Sequence, residues 1–255
     1  MIPPMPLSVA TWNVNGVRAR AEQVLAYLAR DRPDVLCLQE IKATAVQVPA
    51  PLAEHPDYWS FWHGAGGYSG VCLLLAKSRF PELPRFEHPA FDMETRVVTA
   101  EAEGMFFASI YVPNGGKDYA AKIGFLEGMR DWAGTLRESG RPTFLCGDFN
   151  IAREVRDVHP KERKPDQIGT RPEERELLES ILGHGLTDVG RALDPDNDNL
   201  FTWWAPWRNL RQRNIGWRID YVAASHAAAA AATGSRVLAD YGTSDHAPVV
   251  VEFGL

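Results

Sequence analysis

Short runs of consecutive apolar residues alternate along the chain with a few stretches in which apolar residues recur every three or four positions. The runs "LSVATWNVN", "DVLCLQE", "GVCLLLAK", "RVVTAEAE", "MFFASIYVPN", "PTFLCGDFN", "RIDYVAAS" and "PVVVEF" predict strands. Helical spacing predicts a first helix over 18–30, with Val24, Leu25 and Leu28, ended before Pro33. A second is expected over 119–138, with Ile123, Phe125, Leu126, Met129, Trp132 and Leu136, ended at Gly140. A third is expected over 172–184, opened by Pro172 with Glu173 and Glu174 in the first turn, where the helix dipole favours acids. The alanine run 227–232 has high helix propensity and is expected to form a short surface helix without chemistry.

Several strands are apolar throughout, as in sheets covered on both faces. Others alternate, and "RVVTAEAE" with "MFFASIY" predicts a hairpin around Gly104. This mixture points to an α/β chain of mixed sheets packed together and flanked by helices, though periodicity leaves the strand order open. No linker or Ser/Gly-rich seam divides residues 1–255, so one domain is expected.

Polar residues gather where these strands stop. "ATWNVNG" stops in Asn13 and Asn15, "VLCLQE" in Glu40, "ASIYVPN" in Tyr111 and Asn114, and "FLCGDFN" in Asp148 and Asn150. Asp220 interrupts the apolar "GWRIDY", and Asp245 and His246 precede the last strand. Singly, each has a bland reading: a turn residue, a surface ion pair of Glu40 with Lys42, an Asx turn at Asp245, a satisfied core histidine. Six strands carrying Asn, Asp, Glu or His at their ends point instead to one polar site at the carboxyl edge of the sheets.

Composition adds bounds. Hydrophobic residues make up 45% and charged residues 24%, the profile of a soluble globular chain. No apolar run reaches the roughly 20 residues that span a bilayer. The start "MIPPMPLSVA" lacks a basic segment followed by an apolar one, so no leader is expected. Cys37, Cys72 and Cys146 all sit in strand-like runs, which suggests buried, reduced thiols and a cytoplasmic setting, nucleoid-associated in a bacterium. The net charge of −6 disfavours nonspecific polyanion binding, yet "RNLRQRNIGWR" carries Arg208, Arg211, Arg213 and Arg218 with no acid. "REVRDVHPKERK" (153–164) is also basic on balance and reads as a solvated loop.

The oxygen donors of Glu40, Asp148 and Asp245, with the amide oxygens of Asn13 and Asn150, suit Mg²⁺, with Mn²⁺ the alternative. A carboxylate-rich cavity repels phosphate unless a divalent ion offsets the charge, so metal and phosphoester imply one another. An Asp there positions or deprotonates water, and a histidine held by a buried carboxylate donates to a phosphoryl oxygen or orients the nucleophile. Asp220 is the natural partner for His246.

In order, "WNVNGVRAR", "LCLQEIK", "IYVPNGG", "LCGDFNIA", "TWW…GWRIDY" and "SDHAP" resemble the exonuclease III-like apurinic/apyrimidinic (AP) endonucleases of the endonuclease/exonuclease/phosphatase superfamily, over about residues 8–253. "GDFN" and "SDHAP" are shared across the superfamily, while "WNVNGVRAR", "LQEIK" and "GWRIDY" are specific to the DNA-repair branch. The resemblance implies a four-layer α/β sandwich, two mixed β-sheets face to face with helices outside. It implies Mg²⁺-dependent hydrolysis 5′ to an abasic site in duplex DNA, with trimming of damaged 3′ ends, by a monomer with no membrane association. Glu40 is then the principal metal ligand, with Asn13 beside it and Asp245 near the ion. Asp148 activates water and Asn150 orients it. His246 with Asp220 meets the scissile phosphate, and Tyr111 and Asn114 contact the phosphate and the leaving-group side. Trp203, Trp217 and Ile219 wall a pocket for the flipped abasic sugar, whereas Trp12 and Trp204 are expected in the core. Lys117 and Trp207 enter the DNA grooves, and Arg208, Arg211 and Arg213 meet phosphates. The chain departs from the family pattern at Asn15, an Asp in some relatives, and at Thr170, where an aromatic residue is common. A phosphatase for another phosphoester and an inactive DNA-binding scaffold are the competing readings.

Overall fold

The structure, a computed structural model, describes residues 6–255. The first five residues, on which the expectation of no leader partly rests, lie outside the described residues. The elements are β1 (Leu7–Asn13), α1 (Val17–Asp31), β2 (Val35–Gln39), α2 (Ala50–Ala53), β3 (Tyr58–His63), β4 (Val71–Ala76), β5 (Arg85–Glu87), β6 (Val97–Ala102), β7 (Met105–Tyr111), α3 (Tyr119–Glu138), β8 (Thr143–Asp148), α4 (Pro172–Gly183), β9 (Leu186–Asp188), α5 (Val189–Leu193), β10 (Asp220–Ser225), α6 (His226–Ala229), β11 (Ala232–Val237) and β12 (Val249–Phe253). Among the described residues the strands form two six-stranded sheets, ordered β11-β12-β1-β2-β4-β3 and β5-β6-β7-β8-β10-β9.

Both sheets are built on the same plan. A parallel pair, β1 with β2 or β7 with β8, lies at the centre, with antiparallel strands on either side. The parallel pairs need a crossover, which α1 and α3 supply. Alternate residues of each central strand then face opposite layers. Val35 and Cys37 join Phe144 and Cys146 between the sheets. Leu36 and Leu38 pack under Val24, Tyr27 and Leu28 of α1, and Leu145 under Phe125, Leu126 and Met129 of α3. The result is the four-layer α/β sandwich, with both sheets covered on both faces, as the unbroken apolar runs require.

The three long helices lie within a residue or so of the expected spans. Arg32, left-handed at φ 46°, ends α1 ahead of Pro33. The Asp118 side chain caps α3 by accepting from the Ala121 N–H at 2.9 Å. The hairpin turns at Glu103 and Gly104, both at positive φ, with Ala102 paired to Met105. Cys37, Cys72 and Cys146 are free and buried, and Trp12 and Trp204 lie in the core.

Strands β3, β5, β9 and β11 carried no clear apolar signal, and all four lie at sheet edges. An edge strand buries less, so its sequence is less constrained. The alanine run corrects one expectation: α6 ends at Ala229, and Ala232 already begins β11. Pairing with β12, from Ala232↔Phe253 to Val237↔Val249, overrides alanine's helix preference.

Gly147 marks the tightest backbone approach. A Cβ there would lie 1.8 Å from the Ile110 carbonyl oxygen of the adjacent parallel strand, and the neighbour is backbone that cannot swing away. Gly147→Ala is therefore expected to destabilise the fold by about 2 kcal/mol or more, the upper range for overpacking. In a chain of this size that corresponds to a Tm lower by roughly 4–8 °C. An unchanged melting curve would show that β7 and β8 do not meet as closely as described.

Candidate active site

Strands β1, β2, β7 and β8 run toward one common edge and deliver Asn13, Glu40, Tyr111 and Asp148 there at their C-terminal ends. Asp220 and His246 arrive differently. β10 is antiparallel to β8 with Asp220 paired to Asp148, and β12 is antiparallel to β1, so both residues stand at strand starts. The expectation that all six strands end at the site is corrected on this point. Antiparallel neighbours of a parallel pair present their N-terminal ends at its C-terminal edge.

The loops leaving these strands are tied to one another. The amides of Val14, Gly16 and Val17 donate to the carbonyls of Gln39, Glu40 and Ile41. Ser244 Oγ donates to the Asn13 carbonyl, and Trp12 Nε1 to the His246 carbonyl. Asn15, Glu40 and Asn150 are held at φ 45°, 50° and 51°. Such strain in residues other than glycine persists where surrounding contacts over-determine the backbone.

Asn13 sits at the centre. Its amide nitrogen donates to Glu40 Oε1 at 3.0 Å and to Asp148 Oδ2 at 2.9 Å, while its oxygen accepts from the Asn15 amide. Two carboxylates can only face the NH₂ end, so Asn13 bridges the acids. This corrects the expectation of an amide-oxygen metal donor. Asn150 likewise turns its nitrogen to the Val112 carbonyl and Asp148 Oδ2. Asp245 accepts from Asn15 Nδ2 and from the Trp203 indole, both at 2.9 Å, and so anchors the wall of the cleft.

Charges follow from this packing. Burial pushes the Asp148 carboxyl up to about 7, with His246 pulling it down and Asp220 and Glu40 adding repulsion. Burial alone would lower His246, but Asp220 and Asp148 outweigh it and raise the imidazole to about 10. His246 Nδ1 lies 2.9 Å from Asp220 Oδ2, and Nε2 lies 3.8 Å from Asp148 Oδ2. Burial opposes ionisation of Glu40, but Asn13, Lys42 and His246 hold its carboxyl below the ordinary value. Burial and the Glu40 and Asp148 charges keep the Tyr111 phenol protonated.

Glu40, Asp148 and His246 each place a donor atom within 4.8 Å of the others. An imidazolium has no lone pair to offer, so the available donors are carboxylate oxygens, a set that fits a hard divalent cation better than zinc.

A cleft of about 370 Å³ opens over this floor. Its lining includes Tyr111, Asn114, Asn150, Trp203, Trp217, Ile219 and Asp245, while Asn13 and Asp220 lie behind it, bonded to Asp148 and His246. Trp203 and Trp217 meet edge to face, with centroids 6.0 Å apart. Lys117 lies outside the cleft, exposed beside Asn114 on a smaller adjoining depression. Trp207, 58% exposed, stands with Arg208 on a second groove that shares Asp245 with the cleft.

The basic run divides in two. Arg208 and Arg213 are exposed. Arg211 instead donates to the carbonyls of Ala239, Tyr241 and Ser244 and stacks on Trp204, which corrects its assignment to DNA phosphate. Arg218 is buried between Asp157 and Asp188, bonded to both carboxylates. Its acids lie far away in sequence, so a local charge count could not reveal them.

Sequence reasoning missed Thr202, Gln167 and Ile168. Thr202 Oγ1 donates to Asp220 Oδ2 at 2.6 Å and fixes the carboxylate behind His246. Gln167 and Ile168 line the cleft from a loop with no strand or helix pattern. That loop closes on itself through Thr170, whose amide and hydroxyl both donate to the Gln167 carbonyl.

Residues 10–246 match the Endonuclease/Exonuclease/phosphatase family. The chain is 32% identical over 256 residues to the DNA repair nuclease APEX1 of Danio rerio, covering 96% of this chain and 81% of that protein. Its fold superposes on the structure of an AP endonuclease from Archaeoglobus fulgidus with a TM-score of 0.89, at 26% identity over 98% of this chain and all of that one. A 3′ phosphatase from Neisseria, solved with a product DNA hairpin, superposes with a TM-score of 0.88 at 30% identity, over 97% and 99% of the two chains.

Asp220 is the largest influence raising His246. Replacing it by Asn removes that charge, so the His246 titration followed by NMR should move from about 10 down toward the ordinary histidine range. Should the midpoint stay where it is in Asp220→Asn, the carboxylate is not what holds the proton.

Proposed function

The chain belongs to the endonuclease/exonuclease/phosphatase family, and from that premise we propose that it is a DNA-repair nuclease. Its reaction is Mg²⁺-dependent hydrolysis of the phosphodiester 5′ to an abasic site in duplex DNA, leaving a 3′-hydroxyl, with 3′→5′ exonuclease and 3′-phosphodiesterase activity on damaged ends. One observation carries this reading. The floor that holds Glu40, Asp148 and His246 together opens directly into a cleft walled by Trp203, Trp217 and Ile219. A narrow apolar wall beside a phosphoester site suits a deoxyribose without a base, the nucleotide that costs least to unstack.

Roles follow from the geometry. Asp148, with its pKa lifted toward neutrality, takes the proton from the attacking water, and Asn150 helps to place that water. The water oxygen bonds to phosphorus as the P–O3′ bond breaks, and the departing oxygen takes up a proton. His246, protonated and held by Asp220, donates Nε2–H to a phosphoryl oxygen. Tyr111 and Asn114, which line the same cleft, contact the phosphate and the leaving-group side. Glu40 and Asp148 would hold Mg²⁺, with Asp245 nearby and Asn13 spacing the acids. When bound, the ion offsets charge developing on the phosphoryl and leaving oxygens. The DNA on either side meets Lys117, Trp207 and Arg208, which line depressions adjoining the cleft, and Arg213, which is exposed. An enzyme for a small phosphoester has no use for Trp207 and its neighbouring arginines, and an inactive scaffold has no need of a complete acid–amide–imidazole set.

Incubation with an abasic duplex and Mg²⁺ should give a nick that EDTA abolishes; absence of cleavage under those conditions sinks the proposal. Asp148→Asn and His246→Ala should each lower turnover by roughly 100-fold or more, the scale of a lost general base or charged donor. Asp148 must be deprotonated and His246 protonated. The rate should therefore fall below pH about 7, or lower once a cation stabilises the carboxylate, and again above pH about 10. Arg208→Ala or Arg213→Ala should each reduce the salt dependence of DNA binding by about one counterion. Arg211→Ala should leave that slope unchanged and lower Tm instead, because its donors are spent on three backbone carbonyls.

A further inference from the structure

Three cleft loops converge on a single buried ion pair. Lys122 of α3 and Glu174 of α4 are both 0% exposed, with Nζ 2.6 Å from Oε1. Lys122 Nζ also donates to the Asn150 carbonyl at 2.8 Å, which anchors the loop leaving β8. Glu174 accepts the Gly169 amide at 2.9 and 2.7 Å and the Arg171 amide at 3.0 Å, which anchors the loop that carries Gln167 and Ile168. The third loop, with Asn114, packs directly on the lysine stem. A Cβ at Gly115 would lie 2.9 Å from Lys122 Cδ and 3.2 Å from Ile168. Gly169 is wedged between the Asn150 carbonyl and the Trp217 ring, its Cβ position 3.0 and 3.2 Å from each, and the Ala152 amide donates to the Gly169 carbonyl.

A buried ion pair contributes little net stability, since desolvation of both charges offsets their attraction. This one nevertheless satisfies the backbone of two catalytic-site loops and underlies the third. We propose that Lys122 and Glu174 are positioning residues of the hydrolytic reaction, setting the relative placement of Asn150, Asn114 and the Gln167–Ile168 wall around the scissile phosphate. The inference rests on the nuclease reading given above, and neither residue touches the substrate. Its physical basis is reach: the lysine and the carboxylate supply a donor and acceptors to both ends of the connection between β8 and α4, the lysine stem supports the loop between β7 and α3, and a hydrophobic pair of equal volume supplies no donor or acceptor.

The test uses the full chain with both charges removed together, Lys122→Met/Glu174→Gln, so that no unpaired charge is left in the core. Expected are a Tm within a few degrees of wild type and faster amide exchange confined to Ala152, Gly169 and Arg171. On abasic duplex, kcat should fall roughly 10- to 100-fold while KM changes about twofold or less, the scale seen when supporting groups around a site are lost. Wild-type kcat with unchanged local exchange overturns the proposal. So does global loss of exchange protection with a collapsed Tm, which would make the pair a stabilising device. If wild-type protein cuts no DNA, the proposed activity fails, and local amide exchange alone decides whether this pair orders the three loops.

Discussion

Glu40, Asp148, Asp220 and Asp245 meet at the strand ends of the two sheets, where like charges repel and burial withholds the water that would screen them. Nearly everything around the site can be understood as managing that concentration of charge. Asn13 places one N–H on each of two carboxylates, Lys42 pairs with Glu40 at 2.7 Å, and His246 carries a proton between Asp220 and Asp148. Thr202 adds a second donor to Asp220 Oδ2, and Trp203 takes up the Asp245 oxygen that Asn15 leaves open. What stays uncompensated is directed into the open cleft, where a divalent cation would offset it.

Such an arrangement holds only on a rigid support. The central strands are buried on both faces, and Gly147 lets two of them approach more closely than any other residue would allow. Beyond the strand ends, cross-loop backbone bonds fix Glu40 and Asn150 at left-handed φ values, so their side chains point into the cleft at a cost in backbone strain that the packed layers absorb. The donors that tune Asp148 and His246 therefore need little reorganisation as charge moves, the condition under which electrostatic stabilisation is strongest.

Charge that looks like surface charge turns out to be structural in several places. Arg218 and Arg211 come from one basic run, yet one is locked between Asp157 and Asp188 behind the pocket wall and the other closes the loop that carries Asp245. Glu174 suits a helix N-terminus by its charge, but it is wholly buried against Lys122. Lys117, Arg208 and Arg213 are exposed cations on an otherwise acidic chain. In the proposed nuclease these exposed cations would make association with DNA salt-sensitive, and recognition would lean on the shape of the cleft.

Periodicity alone placed the central strands and the three long helices, because those elements are buried and burial writes a regular apolar pattern into them. The site residues Asn13, Glu40, Asp148, Asp220 and His246 were legible only together, since each alone also suits a turn, an ion pair or a core position, while six such strands in one chain do not. The edge strands were not legible, because a half-exposed strand is free to vary. Nor was the direction in which Asn13 turns its amide, the burial of Lys122, Glu174 and Arg218, or the arrival of Gln167 and Ile168 in the cleft. These depend on partners far along the chain, such as Asp188 for Arg218, 30 positions away, and Asp148 for Asn13, 135 away. Local sequence specifies which side chains can ionise or donate; only the tertiary fold decides which of them lose their water and find one another.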